Sequence, residues 1–128
     1  MCLISKTKIP AMALKDIHAF KVIKVCDSQH WIAPYVGTIH KYNEILENNI
    51  SNIDCSIQYF GDEYLISKGY FHSILSKIKA FTLLSHVKTL HNKYSSFRVV
   101  TVTISKGSLY YVENESDEIC SNKIIVNN

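Results

Sequence analysis

The chain has no apolar run of the length a helical membrane span needs, no Cys-x-x-Cys pair and no glycine-rich phosphate loop. The first absence removes a bilayer span from the reading, and no membrane partner is expected. The opening, Met1-Cys2-Leu3-Ile4-Ser5-Lys6, is too short in its apolar part for a secretory leader, so the expected compartment is the cytoplasm. Cys2, Cys26, Cys55 and Cys120 lie far apart, which suits small apolar residues of a reduced interior and not a metal or redox centre. A Gly-x-Ser-x-Gly elbow and a Walker-type run are also missing. Histidines are plentiful, but His86 and His91 stand five apart, the wrong step for one helical face. No metal and no cofactor is therefore expected. With no repeat, no Gly/Ser linker and no low-complexity tract, residues 1–128 read as one domain, with 1–15 as an extended N-terminal arm.

Charge is also modest. The net value is +3, and the chain holds one arginine, Arg98. Lys6, Lys8, Lys15, Lys21 and Lys24 gather positive charge near the start, while Glu113, Glu115, Asp117 and Glu118 make the far end acidic. A nucleic-acid binder shows a denser basic face interleaved with aromatics, so an extended nucleic acid is not an expected partner. A local positive rim can still hold a small anion.

What is present is a single long helical pattern among β-type alternation. Ile74, Leu75, Ile78, Phe81, Leu84, Val87 and Leu90 step by threes and fours, the spacing of one helical face. Ser73 reads as the N-cap and Asn92 as the end signal, with the Gly69–Ser73 stretch as the loop leading in. Strands are expected at Ile17–Val25, at His30–Ile32 up to Pro34, weakly at Thr38–Tyr42 after Gly37, and at Ile53–Tyr59. Gly61-Asp62 turns the chain into Tyr64–Ile66. Phe97–Ile104 is β-branched at nearly every position, and Lys106-Gly107 turns it back into Leu109–Val112 as a hairpin. Ile119–Val126 closes the sheet, and Glu44–Asn52 reads as a loop. The expected class is α+β, an antiparallel or mixed sheet of about five to seven strands packed against one main amphipathic helix.

The residues most able to carry chemistry sit around the expected helix start. Free amides there favour an anion, and His72 and Ser73 lie beside them. Ser73 acting as a cap and His72 as a loop residue would explain the same pair without any ligand. Tyr70 and Tyr111 each neighbour a predicted turn, where a ring can stack on a planar ligand while its hydroxyl stays wet. Lys21 supplies the charge. The expected ligand-binding set is Lys21, Tyr70, His72, Ser73 and Tyr111.

Three stretches carry a family resemblance: Ala13-Leu14-Lys15-Asp16-Ile17-His18-Ala19-Phe20-Lys21-Val22, Gly69-Tyr70-Phe71-His72-Ser73, and Ile104-Ser105-Lys106-Gly107-Ser108-Leu109-Tyr110-Tyr111 with Ser121-Asn122-Lys123-Ile124. Together they resemble a group of small proteins of gut Bacteroidetes and their phages. That group has an Asp-Ile-x-x-aromatic-Lys-Val start, a Gly-aromatic-His-Ser element and an Ile-Pro-Lys-Gly-x-x-Tyr-Tyr hairpin. Ser105 stands here in place of the proline, and Phe71 adds an aromatic before His72. The order of elements is also similar to compact ADP-ribosyltransferase-like folds, whose closing hairpin carries a Glu-x-Glu pair. Glu113-Asn114-Glu115 spells that pair, while Lys21 stands nearest to the place of the opening arginine.

These resemblances imply a phage or mobile-element protein of the host cell's cytoplasm. Its expected role is to bind and sequester a phosphorylated or nucleotide-like ligand, such as a host defence signal. The alternative they imply is an ADP-ribosyltransferase-like enzyme acting on NAD or ADP-ribose derivatives, with His72 orienting the substrate and Glu115 supporting an electron-poor sugar centre. A third reading is a protein-interaction module without a small ligand. A homo-oligomer is compatible with each.

Overall fold

The computed structural model describes residues 3–7, 9–33, 38–48, 55–60, 63–66, 71–90, 96–113 and 115–128, with 55–60 and 63–66 described through their backbone alone. Five short strands and one long one open the chain: β1 (Leu3–Ser5), β2 (Ala11–Met12), β3 (Ile17–Val25), β4 (His30–Ile32), β5 (Ile39–Lys41) and β6 (Ile45–Glu47). They are followed by β7 (Cys55–Phe60), β8 (Glu63–Ile66) and β9 (Phe71–Ile74), then helix α1 (Lys77–Leu90). Strands β10 (Phe97–Ile104), β11 (Leu109–Glu113), β12 (Glu118–Ser121) and β13 (Lys123–Val126) complete it.

The class is α+β: among the described residues, one helix with a mostly antiparallel sheet. The main sheet runs β2-β11-β12-β9-β3-β10-β13-β6, with β4 also on β3 and β5 on β4, so it holds ten strands rather than five to seven. A small second sheet has the order β1-β8-β7. The extra strands are mostly two to four residues long, shorter than the span over which alternation becomes legible. Ile45–Glu47, expected in a loop, pairs with β13 as a strand. The N-terminal arm also supplies strands, and Leu3 and Ser5 of β1 are buried.

The central pair matches its composition. All eight residues of β10 pair antiparallel with β3, from Phe97↔Lys24 to Ile104↔Ile17. Gly107 turns the chain after β10 with φ 88°, a conformation that favours glycine. That turn does not make the expected hairpin. Gly107 N donates to Ala13 O and Ala13 N to Ser108 O, each at 2.8 Å, tying the turn to the N-terminal arm. Strand β11 then leaves β10 and pairs with β2 and β12.

Asn122 alone separates β12 from β13, yet β9, β3 and β10 lie between them in the sheet. One residue can join them only if the sheet coils back on itself, with the chain turning a corner. Asn122 is held there: its N–H donates to Leu109 O at 3.1 Å, and its Oδ1 accepts from Leu109 N at 2.9 Å. Inside the coil lies the main core, built from Ala19 and Ile23, Val100, Val102 and Ile104, Ile119, Ile124 and Val126. Trp31 plugs it.

Helix α1 covers part of the outer face, where Val87 packs with Val22 and Phe97. Its inward positions are Ala80, Leu83, Leu84 and Val87, an i, i+3, i+4, i+7 set. The expected stripe was rotated from this. Ile78 is 81% exposed, and Phe81 and Leu90 also face water. The small Ala80 lets the helix approach the sheet closely, and a count of large apolar residues passes over it. The cap differs too. Lys79 N donates to Ser76 Oγ at 3.3 Å, so Ser76 opens the helix and Ser73 lies back in β9. Residues 71–74 are strand because each pairs with β12, from Ser121↔Phe71 to Glu118↔Ile74. Pro34, Gly37, Ile53, Gly61, Asp62, Gly69, Tyr70 and Asn92 lie outside the described residues.

Candidate functional site

Two strands share one edge of β3. Strand β9 meets it at Phe20↔Ile74, and β4 meets it further on, at Lys24↔Ile32 and Val25↔Trp31. Lys21 lies on β3 between these contacts, where the edge forks. Its Nζ donates to the carbonyl oxygen of His72 at 2.6 Å. Side chains alternate along a strand, so Lys21 points the same way as Ala19 and Ile23, toward the inner core. Burial pulls its pKa from 10.5 down to about 8. Among the described residues the acidic partners in ion pairs are Asp27, Glu44, Asp117 and Glu47, and none of them pairs with Lys21.

Two further donors face the same interior. Ser73 stands opposite Ile119, a residue of the inner core; it is 3% exposed, and its hydroxyl has no hydrogen-bond partner. Trp31 is 1% exposed and its indole Nε1–H also lacks a partner. The Trp31 ring lies 4.7 Å from the ring of His40, its cross-strand neighbour on β5. His40 is held below the usual histidine range by burial and then by the charge of Lys21, which ties this stack to the fork. Buried donors left unpaired carry a desolvation penalty, and both lie on the face of the sheet toward which Lys21 points. Around them Phe71, Tyr110 and Val112 are half-buried apolar neighbours packed against the core.

The sheet divides the expected ligand set. Lys21 and Ser73 face inward. The side chains of His72 and Tyr111 lie on the outer face, in one cross-strand row with Cys120 between them. Tyr111 is 2% exposed, which leaves no wet hydroxyl or free ring face to stack a ligand. Both ring nitrogens of His72 are buried and unpartnered, and burial, then the charge of Lys21, lowers its pKa to about 4. Burial likewise pushes the Cys120 thiol up to about 12. Strand β1 is tied to this face, Ile4 N donating to Glu113 Oε2 at 3.1 Å. Glu118, opposite Glu113, is raised by burial and then by that neighbouring carboxylate.

The helix start lies apart from the inner face and carries contacts of its own. Lys79 Nζ meets Asp117 at 3.2 Å and the Glu115 carbonyl at 2.9 Å, so an acidic turn leans on the first turn of α1. Glu115 itself is exposed in that turn, apart from the buried His72 ring. Tyr70 lies outside the described residues. The sequence reasoning missed Trp31 and His40. The lone tryptophan in a short β segment was the available signal, but its pairing with β5 has no local mark.

Among the described residues, no group of three His, Cys, Asp or Glu side chains could hold a metal ion. Among them too, no helix is long and apolar enough to cross a membrane. No protein-family model, no curated protein and no solved structure matches this chain.

Proposed function

We propose that the protein captures a small anionic ligand, phosphorylated or nucleotide-like, on the inner face of its coiled sheet. The observation that carries this reading is Lys21: a desolvated ammonium that pairs with no carboxylate among the described residues, on the same face as a buried hydroxyl and a buried indole N–H that both lack a partner. A buried charge demands compensation, and donors without acceptors favour an oxyanion. Lys21 supplies the counter-charge, Ser73 and Trp31 donate, and the half-buried Phe71 and Tyr110 offer apolar surface to the ligand's body. His72 contributes its backbone, whose carbonyl aims the ammonium. No proton transfer or bond cleavage enters this reading, so the role is sequestration, in keeping with the resemblance to small phage proteins.

Calorimetric titration with ADP-ribose and with a cyclic dinucleotide tests it. Wild-type protein should bind at least one of them, and Lys21→Met should weaken that binding by about tenfold or more, the effect of losing one charge-assisted contact. Absence of binding to either, or undiminished binding by Lys21→Met, would overturn the reading.

A further inference from the structure

The charge balance of the fork says more about the ligand. Resting on the reading above, we infer that the site selects an oxyanion carrying a single negative charge, a phosphodiester or a carboxylate, over the dianion of a phosphate monoester. Lys21 is the one full charge that β3 directs into the inner face beside the fork. Arg98 lies on the same side of the sheet near the rim, but it is exposed and already engaged with Tyr42 Oη and Asn128 Oδ1, each at 3.0 Å. Among the described residues, the remaining polar groups at the fork are neutral: the Ser73 hydroxyl, the Trp31 indole N–H and the His72 carbonyl. Neither histidine adds charge at neutral pH, because burial and the nearby ammonium both favour the neutral ring in His40 and in His72.

A monoanion placed against Lys21 leaves the pair neutral, and the two neutral donors can satisfy its remaining lone pairs. A dianion leaves one negative charge without a partner in a desolvated setting, where uncompensated charge is strongly disfavoured. Phosphate monoesters carry close to two charges at neutral pH, their second pKa being about 6, whereas diesters carry one. Selection therefore follows from the number of cations and not from the shape of the base or sugar.

The test is calorimetric titration at pH 7.5 with cyclic 3′,5′-AMP, 5′-AMP and 1-naphthoate, on wild-type protein, Lys21→Met and Lys21→Arg. Cyclic AMP and AMP share base and sugar and differ in phosphate charge. The expected result is binding of cyclic AMP, naphthoate or both at least about tenfold tighter than AMP, a difference worth about 1.4 kcal/mol. That preference should disappear in Lys21→Met and survive in Lys21→Arg, which keeps the charge. Which of the two monoanions binds separates a phosphodiester source from a carboxylate source. AMP binding as tightly as the monoanions would overturn the inference while leaving anion capture standing. Binding of none of the three would overturn the inference, and silence toward ADP-ribose and the cyclic dinucleotide as well would remove both.

Discussion

Lys21 should make the stability of this protein rise with alkaline pH, and replacing it should flatten that rise. In the unfolded chain the amine keeps its ordinary pKa of 10.5; in the folded protein burial lowers it to about 8. Between those values the unfolded chain binds more protons than the folded one, so stability increases as pH climbs from about 8 toward 10.5. At about 1.36 kcal/mol per pH unit, the whole span is worth up to about 3 kcal/mol. Below pH 8 the folded state carries that penalty in full. Lys21→Met removes it, but also leaves the His72 carbonyl without its donor, a loss of about 1–3 kcal/mol. The two effects oppose, so at pH 7 the variant should lie within about 2 kcal/mol of wild type, and near pH 10.5 it should be clearly the less stable. Urea unfolding of both proteins at several pH values from 7 to 10.5 measures this, and other lysines and tyrosines cancel in the difference. A difference that stays constant across that range would refute the reasoning, since it would mean the ammonium is solvated in the folded protein.

His72 gives the opposite sign at acid pH. Its folded pKa of about 4 lies below the ordinary 6.5, so stability present above pH 6.5 is lost as pH falls toward 4, by up to about 3 kcal/mol. Acid titration followed by circular dichroism should show this loss in wild type and a shallower one in His72→Phe; equal slopes would count against a buried neutral ring. On the helix, Val87→Ala should lower unfolding free energy by about 2 kcal/mol, while Ile78→Ala should change it by no more than about 0.5. Equal losses in chemical denaturation would mean that α1 is rotated from the face described.

The sequence made the fold class legible because its two strongest signals are local. β-Branched residues mark Phe97–Ile104, and a mixed apolar run marks Ile17–Val25; these became the central pair of the sheet. The helix was also visible, but its rotation was not, since Ala80 carries little hydrophobic weight and Ile78 carries much while facing water. Ser73 fits the cap pattern as well as Ser76, because a hydroxyl three residues early satisfies it too, and only pairing with β12 decides between them. The hairpin expected at Lys106-Gly107 failed for a similar reason. The turn residue is right, but hydrogen bonds to Ala13, more than ninety residues earlier, carry β11 away from β10. Lys21 was picked out for its charge. That its carbonyl partner, the Ser73 hydroxyl and the Trp31 indole would belong to one side of one sheet depends on strand order, which no short window of residues encodes.

The single-residue joint at Asn122 has a mechanical consequence. With no slack between β12 and β13, the two arms of the coil cannot part without breaking the amide clasp on Leu109 or unpairing a whole strand. Opening of the inner face must then rely on side-chain movement and on the shorter outlying strands. For the anion capture proposed above, a coil already closed in this way would leave little ordering entropy to be spent.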